Sequence, residues 1–174
     1  MPYEIEASDW LNTDKPLSLP SLRGRVVVVT VFQMLCPGCA QFSLPQARNL
    51  HLAFARKDLV VIGMHSVFEH HHVMTPDALH VFVREYRLKF PIAIDRPQED
   101  LSVPATMRKW GLNGTPTSMI FGRDGGLALQ HFGHLDDLRL GALLGELIAR
   151  RPSEAMRETC IGEGYGSEPV FGSI

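Results

Sequence analysis

The sequence predicts a three-layer α/β fold, with a central mixed sheet flanked by helices. Three observations carry this expectation. Val26-Val27-Val28-Val29-Thr30-Val31-Phe32 and Leu59-Val60-Val61-Ile62-Gly63 are continuous apolar runs of strand length. Such runs read as strands buried on both faces, as in parallel or mixed sheets. Helical periodicity fills the stretches between the runs, which implies right-handed crossovers. The chain then closes on two short strands and a strongly striped helix. The resulting order is β-α-β-α-β-α-β-β-α.

Taken in order, residues 1–25 read as an irregular lead-in, punctuated by Pro16, Pro20 and Gly24. The strand Val26–Phe32 follows, and a helical stretch then runs to about Lys57, with Ala47, Leu50 and Phe54 on one side. Pro45 should kink that helix, since it has no N–H for the preceding turn. Leu59 to Gly63 is the second strand. Thr75 suits an N-cap, with Pro76 in the first helical position. Leu79, Phe82, Val83 and Tyr86 then form one buried stripe. Phe90 to Asp95 is a third strand, and residues 103–110 a short helix ending near Gly111. Ser118 to Phe121 and Leu127 to Phe132 are strands joined by Arg123-Asp124-Gly125-Gly126, which is hairpin chemistry. Leu140, Leu143, Leu144, Leu147 and Ile148 mark the last helix, with Asp136 or Asp137 suited to its start. No stripe continues after Arg151. The expected organisation is one domain over residues 1–151 and a tail over 152–174.

Composition narrows the function classes. The 174 residues carry 45% hydrophobic and 21% charged side chains, the balance of an ordinary globular protein. A formal net charge of -2 offers no basic face, so no nucleic-acid partner is expected. No apolar run approaches the length of a membrane span. The start, MPYEIEASDW, has neither the basic residues nor the apolar stretch of a signal peptide, so the expected location is cytoplasmic.

Three cysteines are present: Cys36, Cys39 and Cys160. Cys36-Pro37-Gly38-Cys39 lies between a strand and a helix, where unpaired N–H groups and the positive end of the helix dipole face the first sulfur. Both favour a thiolate at Cys36. Helix N-termini and Cys-x-x-Cys pairs bring a cysteine pKa down to roughly 3.5–7.5. Cys36 is therefore the expected nucleophile, and Cys39 the thiol that resolves the mixed disulfide. Pro37 is tolerated in the first turn. Gly38 lets a partner's backbone approach. The competing reading is half of a zinc site, but zinc needs four ligands and no second Cys-x-x-Cys is present. No metal and no cofactor are expected.

Further along, Gly114-Thr115-Pro116-Thr117 precedes the hairpin. With CPGC, LSLPSLRGRVVVVTVF, LKFPIAID and KWGLNGTPTSMIFGRDGGL, this segment resembles the thioredoxin-like superfamily, and most closely its redoxin branch that includes TlpA-type proteins. The resemblance covers roughly residues 17–149. It implies a thioredoxin-like fold and a cis Pro116 set against the cysteine pair. It also implies that Thr115 presents its backbone to substrate, and that antioxidant or reductase activity passes through the dithiol. Read without the family, Gly-Thr-Pro is a turn before a strand. Four positions depart from the family. Leu35 replaces a common Trp, and Thr30 stands where thioredoxin buries an Asp. Pro45 lies six residues after Cys39 where about five are expected, and Gln33 occupies the Thr position of peroxiredoxins.

The expected function is thus a thiol–disulfide oxidoreductase. It would reduce a disulfide-containing protein or a small thiol-type substrate and be recharged by an unidentified electron donor. The alternatives are a peroxiredoxin-like peroxidase, which Gln33 disfavours, a non-catalytic thioredoxin-like binding module, and a copper-handling protein, which would want Cys-x-x-x-Cys. His65 and Glu69-His70-His71-His72 read as polar loop rather than metal site. Cys160 reads as a lone thiol in the tail. Trp10, Trp110 and the methionines read as packing residues.

Overall fold

The computed structural model describes residues 3–99 and 102–150. Its centre is a six-stranded mixed sheet in the order β1-β4-β3-β2-β5-β6. The strands are β1 (Ala7–Leu11), β2 (Val26–Phe32), β3 (Leu59–His65), β4 (Ile92–Asp95), β5 (Thr117–Phe121) and β6 (Leu127–Phe132). β2, β3 and β4 run parallel, and β1, β5 and β6 join antiparallel. The helices are α1 (Leu44–Ala53), α2 (Pro76–Glu85), α3 (Ala105–Lys109) and α4 (Asp137–Ala149).

The two apolar runs occupy the middle of the sheet, and every residue of β2 and β3 is buried. Alternate side chains of β2 enter different cores, because successive strand residues point to opposite faces. Val26, Val28 and Phe32 pack with Leu44 and Ala47 of α1, Leu79 and Val83 of α2, and Leu140, Leu144 and Leu147 of α4. Val27, Val29 and Val31 pack with Met107 of α3, Trp110, and Leu19 and Leu22 of the N-terminal segment. Met34, Met64, Met74, Met107 and Met119 are all buried.

The lead-in is therefore not wholly irregular. It contains β1 and a 3₁₀ turn over Pro20–Leu22, and it helps to form the third layer. Ala-Ser-Asp-Trp-Leu lacks an apolar alternation, and only Leu11 of the strand is buried. Backbone pairing to the open edge of β4 makes it a strand, with a register shift between Ala7 and Asp9. Beyond it, Asn12 adopts φ 59° and donates its side-chain amide to the carbonyls of Leu88 and Phe90.

Other boundaries moved for local reasons. β4 starts at Ile92 rather than Phe90, because Pro91 has no N–H for the ladder. α1 ends at Ala53 rather than near Lys57; Phe54 turns extended and packs against the core. Tyr86 closes α2 as its C-cap and is exposed, stacked on Phe82 at 4.1 Å. Thr75 and Asp136 are N-caps, accepting from Ala78 and from Leu138 and Arg139 respectively.

Pro45 stands beside a distortion of the helical run that begins at Pro37. A π-helical turn, Cys39–Ser43, precedes α1, and the N–H of Leu44 donates to the carbonyl of Cys39. A π turn holds one residue more than an α turn. It takes up the extra residue between Cys39 and Pro45, and Pro45, which brings no N–H to the preceding turn, follows directly as the second residue of α1. The tail over 152–174, with Cys160, lies outside the described residues.

Candidate active site

β2 delivers the cysteine pair to the end of the sheet. After Phe32 the chain leaves the strand, and the N–H of Cys36 donates to the carbonyl of Gln33 at 3.2 Å. Helical geometry begins at Pro37. The first sulfur thus sits at a helix start, as the spacing predicted. Cys36 is half-buried and Cys39 is fully buried, and both are free thiols. The N–H of Cys39 donates to Cys36 Sγ at 3.3 Å. That donor is in place for negative charge developing on Cys36.

The second half of the site comes from the start of β5. The Thr115–Pro116 peptide bond is cis. The Cys36 thiol donates to the Thr115 carbonyl at 3.5 Å. Gly38 packs on the Pro116 ring, where a Cβ would lie 3.3 Å from Pro116 Cδ. The Thr117 hydroxyl donates to Gly114 at 2.7 Å, and the N–H of Gly133 donates to the Pro116 carbonyl at 2.8 Å. These bonds hold the 114–117 turn from both sides. The fold therefore brings together Cys36, Gly38, Cys39, Thr115 and Pro116, which are about 80 residues apart in the chain. Pro37 is exposed at the tip of the turn.

The two sulfurs have different environments. Burial pushes the Cys39 thiol up to about 12, and its hydrogen bond with Cys36 adds to the shift; the backbone of Gln33 and the hydroxyl of Thr115 oppose it. Cys39 is held as a neutral thiol behind an accessible Cys36. Thr30, at the position of thioredoxin's Asp, is buried in β2 and brings no carboxylate.

Gln33 is a residue whose part the sequence did not reveal. It is 1% exposed, its Oε1 accepts from the Phe68 N–H at 3.2 Å, and its Nε2 donates to Glu69 Oε1 at 3.4 Å. A polar residue directly after a buried strand was the available signal. Around the pair, Leu35, Phe42 and Phe132 are large exposed apolar side chains; Phe42 lies on His134 and Phe132 on Gly114.

The histidines are dispersed. His65 ends β3, is buried against Phe32, and has no partner for Nε2 among the described residues. His70 adopts φ 51°, and His71 Nε2 lies 3.1 Å from the Ser102 carbonyl. Among the described residues no three His, Cys, Asp or Glu side chains are grouped as metal ligands would be. No helix among them is long and apolar enough to cross a membrane.

Residues 4–129 match the AhpC/TSA family. The chain belongs to that family. This AhpC/TSA member is 28% identical over 131 residues to the thiol-disulfide oxidoreductase ResA of Bacillus thuringiensis (strain Al Hakam), covering 74% of this chain and 68% of ResA. A solved thiol-disulfide isomerase from Corynebacterium glutamicum superposes with a TM-score of 0.82 at 48% identity, over 84% of this chain and 95% of that one. A solved thioredoxin-like superfamily protein gives 0.83 at 41% identity, over 86% and 97%. The AhpC/TSA member has the thioredoxin-like fold and is an oxidoreductase of that group.

Proposed function

We propose that the chain is a thiol–disulfide oxidoreductase that reduces disulfides through its own dithiol, Cys36 and Cys39. The observation that carries this reading is the asymmetry of the pair. An accessible Cys36 sulfur receives the Cys39 N–H and lies 3.5 Å from the Thr115 carbonyl, while the Cys39 thiol is buried behind it. Similarity to named thiol-disulfide oxidoreductases and isomerases supports it.

The chemistry runs in two exchanges. Cys36, as thiolate, attacks one sulfur of a substrate disulfide; an S–S bond forms to Cys36, and the other substrate sulfur leaves as thiolate. Cys39 then loses its proton and attacks Cys36, which releases the second substrate thiolate and leaves a Cys36–Cys39 disulfide. Two electrons pass to the substrate. A dithiol donor must return them by the same exchange in reverse. The substrate is a protein or small-molecule disulfide; the exposed Leu35, Phe42 and Phe132 favour one with an apolar flank.

Substrate turnover by Cys36→Ser and Cys39→Ser variants tests this. Cys36→Ser abolishes exchange. Cys39→Ser stops after one event with a mixed disulfide on Cys36, visible by mass spectrometry. Full multiple turnover by Cys39→Ser would sink the two-cysteine mechanism.

A further inference from the structure

We propose that Thr117 is a positioning residue for the nucleophile: its buried hydroxyl closes the 114–117 turn, holds the Thr115 carbonyl on the Cys36 thiol, and so keeps the proton on Cys36. The inference rests on the dithiol reading above.

Two backbone groups meet the Cys36 sulfur, and they act in opposite senses. The Cys39 N–H donates to Sγ at 3.3 Å and favours the thiolate. The Thr115 carbonyl accepts from the thiol at 3.5 Å, and an acceptor can bond only the protonated sulfur. Once the proton is gone, the carbonyl oxygen faces a thiolate of like charge. How readily Cys36 gives up its proton therefore depends on whether that carbonyl stays in place.

Thr115 is half-buried, and both of its neighbours are fastened. On one side the Pro116 carbonyl receives the Gly133 N–H at 2.8 Å. On the other the buried Gly114 carbonyl receives the Thr117 hydroxyl at 2.7 Å. Thr117 is 2% exposed and is the first residue of β5, paired with Val31 of β2 and Phe132 of β6. Its hydroxyl thus ties the turn to the sheet.

An isosteric side chain without the hydroxyl would fill the same space and leave the Gly114 carbonyl unpaired. A buried carbonyl without a donor is unfavourable, so the Gly114–Thr115 segment would rotate toward another partner. The Thr115 carbonyl then leaves the sulfur, and the Cys39 N–H acts unopposed. Valine suits a strand, so β5 persists.

The test is the pH–rate profile of iodoacetamide alkylation at Cys36 in the reduced full-length protein, read site by site by mass spectrometry. The reagent takes the thiolate. Cys36 of Thr117→Val and Thr117→Ala should react roughly two- to tenfold faster than wild type on the acid side of the profile, as loss of one hydrogen bond allows, and match it at alkaline pH. Thr117→Ser keeps a hydroxyl and should follow wild type. An unchanged or slower acid limb in Thr117→Val and Thr117→Ala would overturn the inference. So would a rise independent of pH, which marks a sulfur merely uncovered, and so would a Thr117→Ser profile displaced like that of Thr117→Val. A wild-type protein that reduces no disulfide overturns the dithiol reading itself, a result distinct from these.

Discussion

The backbone N–H of Cys39 donates to the sulfur of Cys36 across 3.3 Å, while the thiol of Cys39 itself is buried. One residue therefore stabilises charge on its partner and withholds its own. This division follows from the helix start: Cys36 precedes the first turn, and Cys39 lies one turn inside it against the core.

The raised pKa of Cys39 fixes the pH response of the second exchange. With the thiol pushed up to about 12, its thiolate fraction keeps growing through the alkaline range. The expected outcome is a rate of mixed-disulfide resolution that climbs steadily from pH 7 to about 10, beyond the usual thiol range near 8.5. Stopped-flow release of the second thiolate checks it; a plateau near pH 8.5 would contradict the burial of Cys39. The same shift bears on stability. A thiol whose folded pKa is raised stabilises the reduced protein below the unfolded value, and this is lost as pH rises toward 12. Reduced wild type should therefore lose stability above about pH 9, and Cys39→Ala less so.

His65 gives the acid counterpart. Burial lowers its pKa to about 4, so the folded state holds it neutral. A depressed pKa contributes stability that is present above the unfolded value near 6.5 and lost as pH falls toward 4. Buried Asp95, raised by its own burial, shifts stability the other way over acid pH, so a difference measurement is needed. Wild type should lose stability between pH 6.5 and 4 more steeply than His65→Gln, as read by urea midpoints at each pH. Parallel curves would show that His65 is not held neutral.

Arg123 ties three segments together. Its guanidinium donates to the Ile148 carbonyl beyond the middle of α4, to the Gly24 carbonyl before β2, and to Asp58 Oδ1 at 3.0 Å, with 16% side-chain exposure. Arg123→Met leaves those acceptors unpaired. A loss of about 2–4 kcal/mol is expected from urea unfolding, since removing one partner strands the others. Asp58→Ala should lose less, because both main-chain bonds persist. Equal losses would locate the stability in the ion pair alone.

Gly63 marks where β3 passes under the core. A Cβ there would lie 2.9 Å from Phe90, 3.1 Å from Ile92 and 3.2 Å from Phe32. Three packed side chains would have to move. Gly63→Ala should destabilise by about 1–3 kcal/mol, as overpacking does, although Ala otherwise suits a strand better than Gly. A thermal melt checks it, and a neutral or stabilised variant would show that these rings can yield.

Much of the architecture was legible in local sequence. Val26–Phe32 and Leu59–Gly63 are apolar at every position, so only a buried strand accommodates them. Thr75-Pro76 and Asp136 carry their own capping chemistry. β1 was hidden because Ala-Ser-Asp-Trp-Leu has no periodic pattern; its partner, β4, lies about 85 residues away. The π turn was hidden for a related reason: an extra residue before Pro45 is visible as a count, but its placement depends on how Cys39 and Leu44 pack.

By itself the sequence determined the strands of the inner sheet, the helix starts and the position of Cys36-Pro37-Gly38-Cys39 at a strand-to-helix junction. These follow from nearest neighbours in the chain: side-chain periodicity, β-branching and missing or supplied N–H groups. Only the tertiary structure decided what surrounds the two sulfurs. Thr115 and Pro116 reach them because β5 pairs with β2, and Gln33 meets Phe68 because β3 does. Burial in the closed core sets how readily the Cys39 thiol ionises, and that burial does not exist until the sheet has closed.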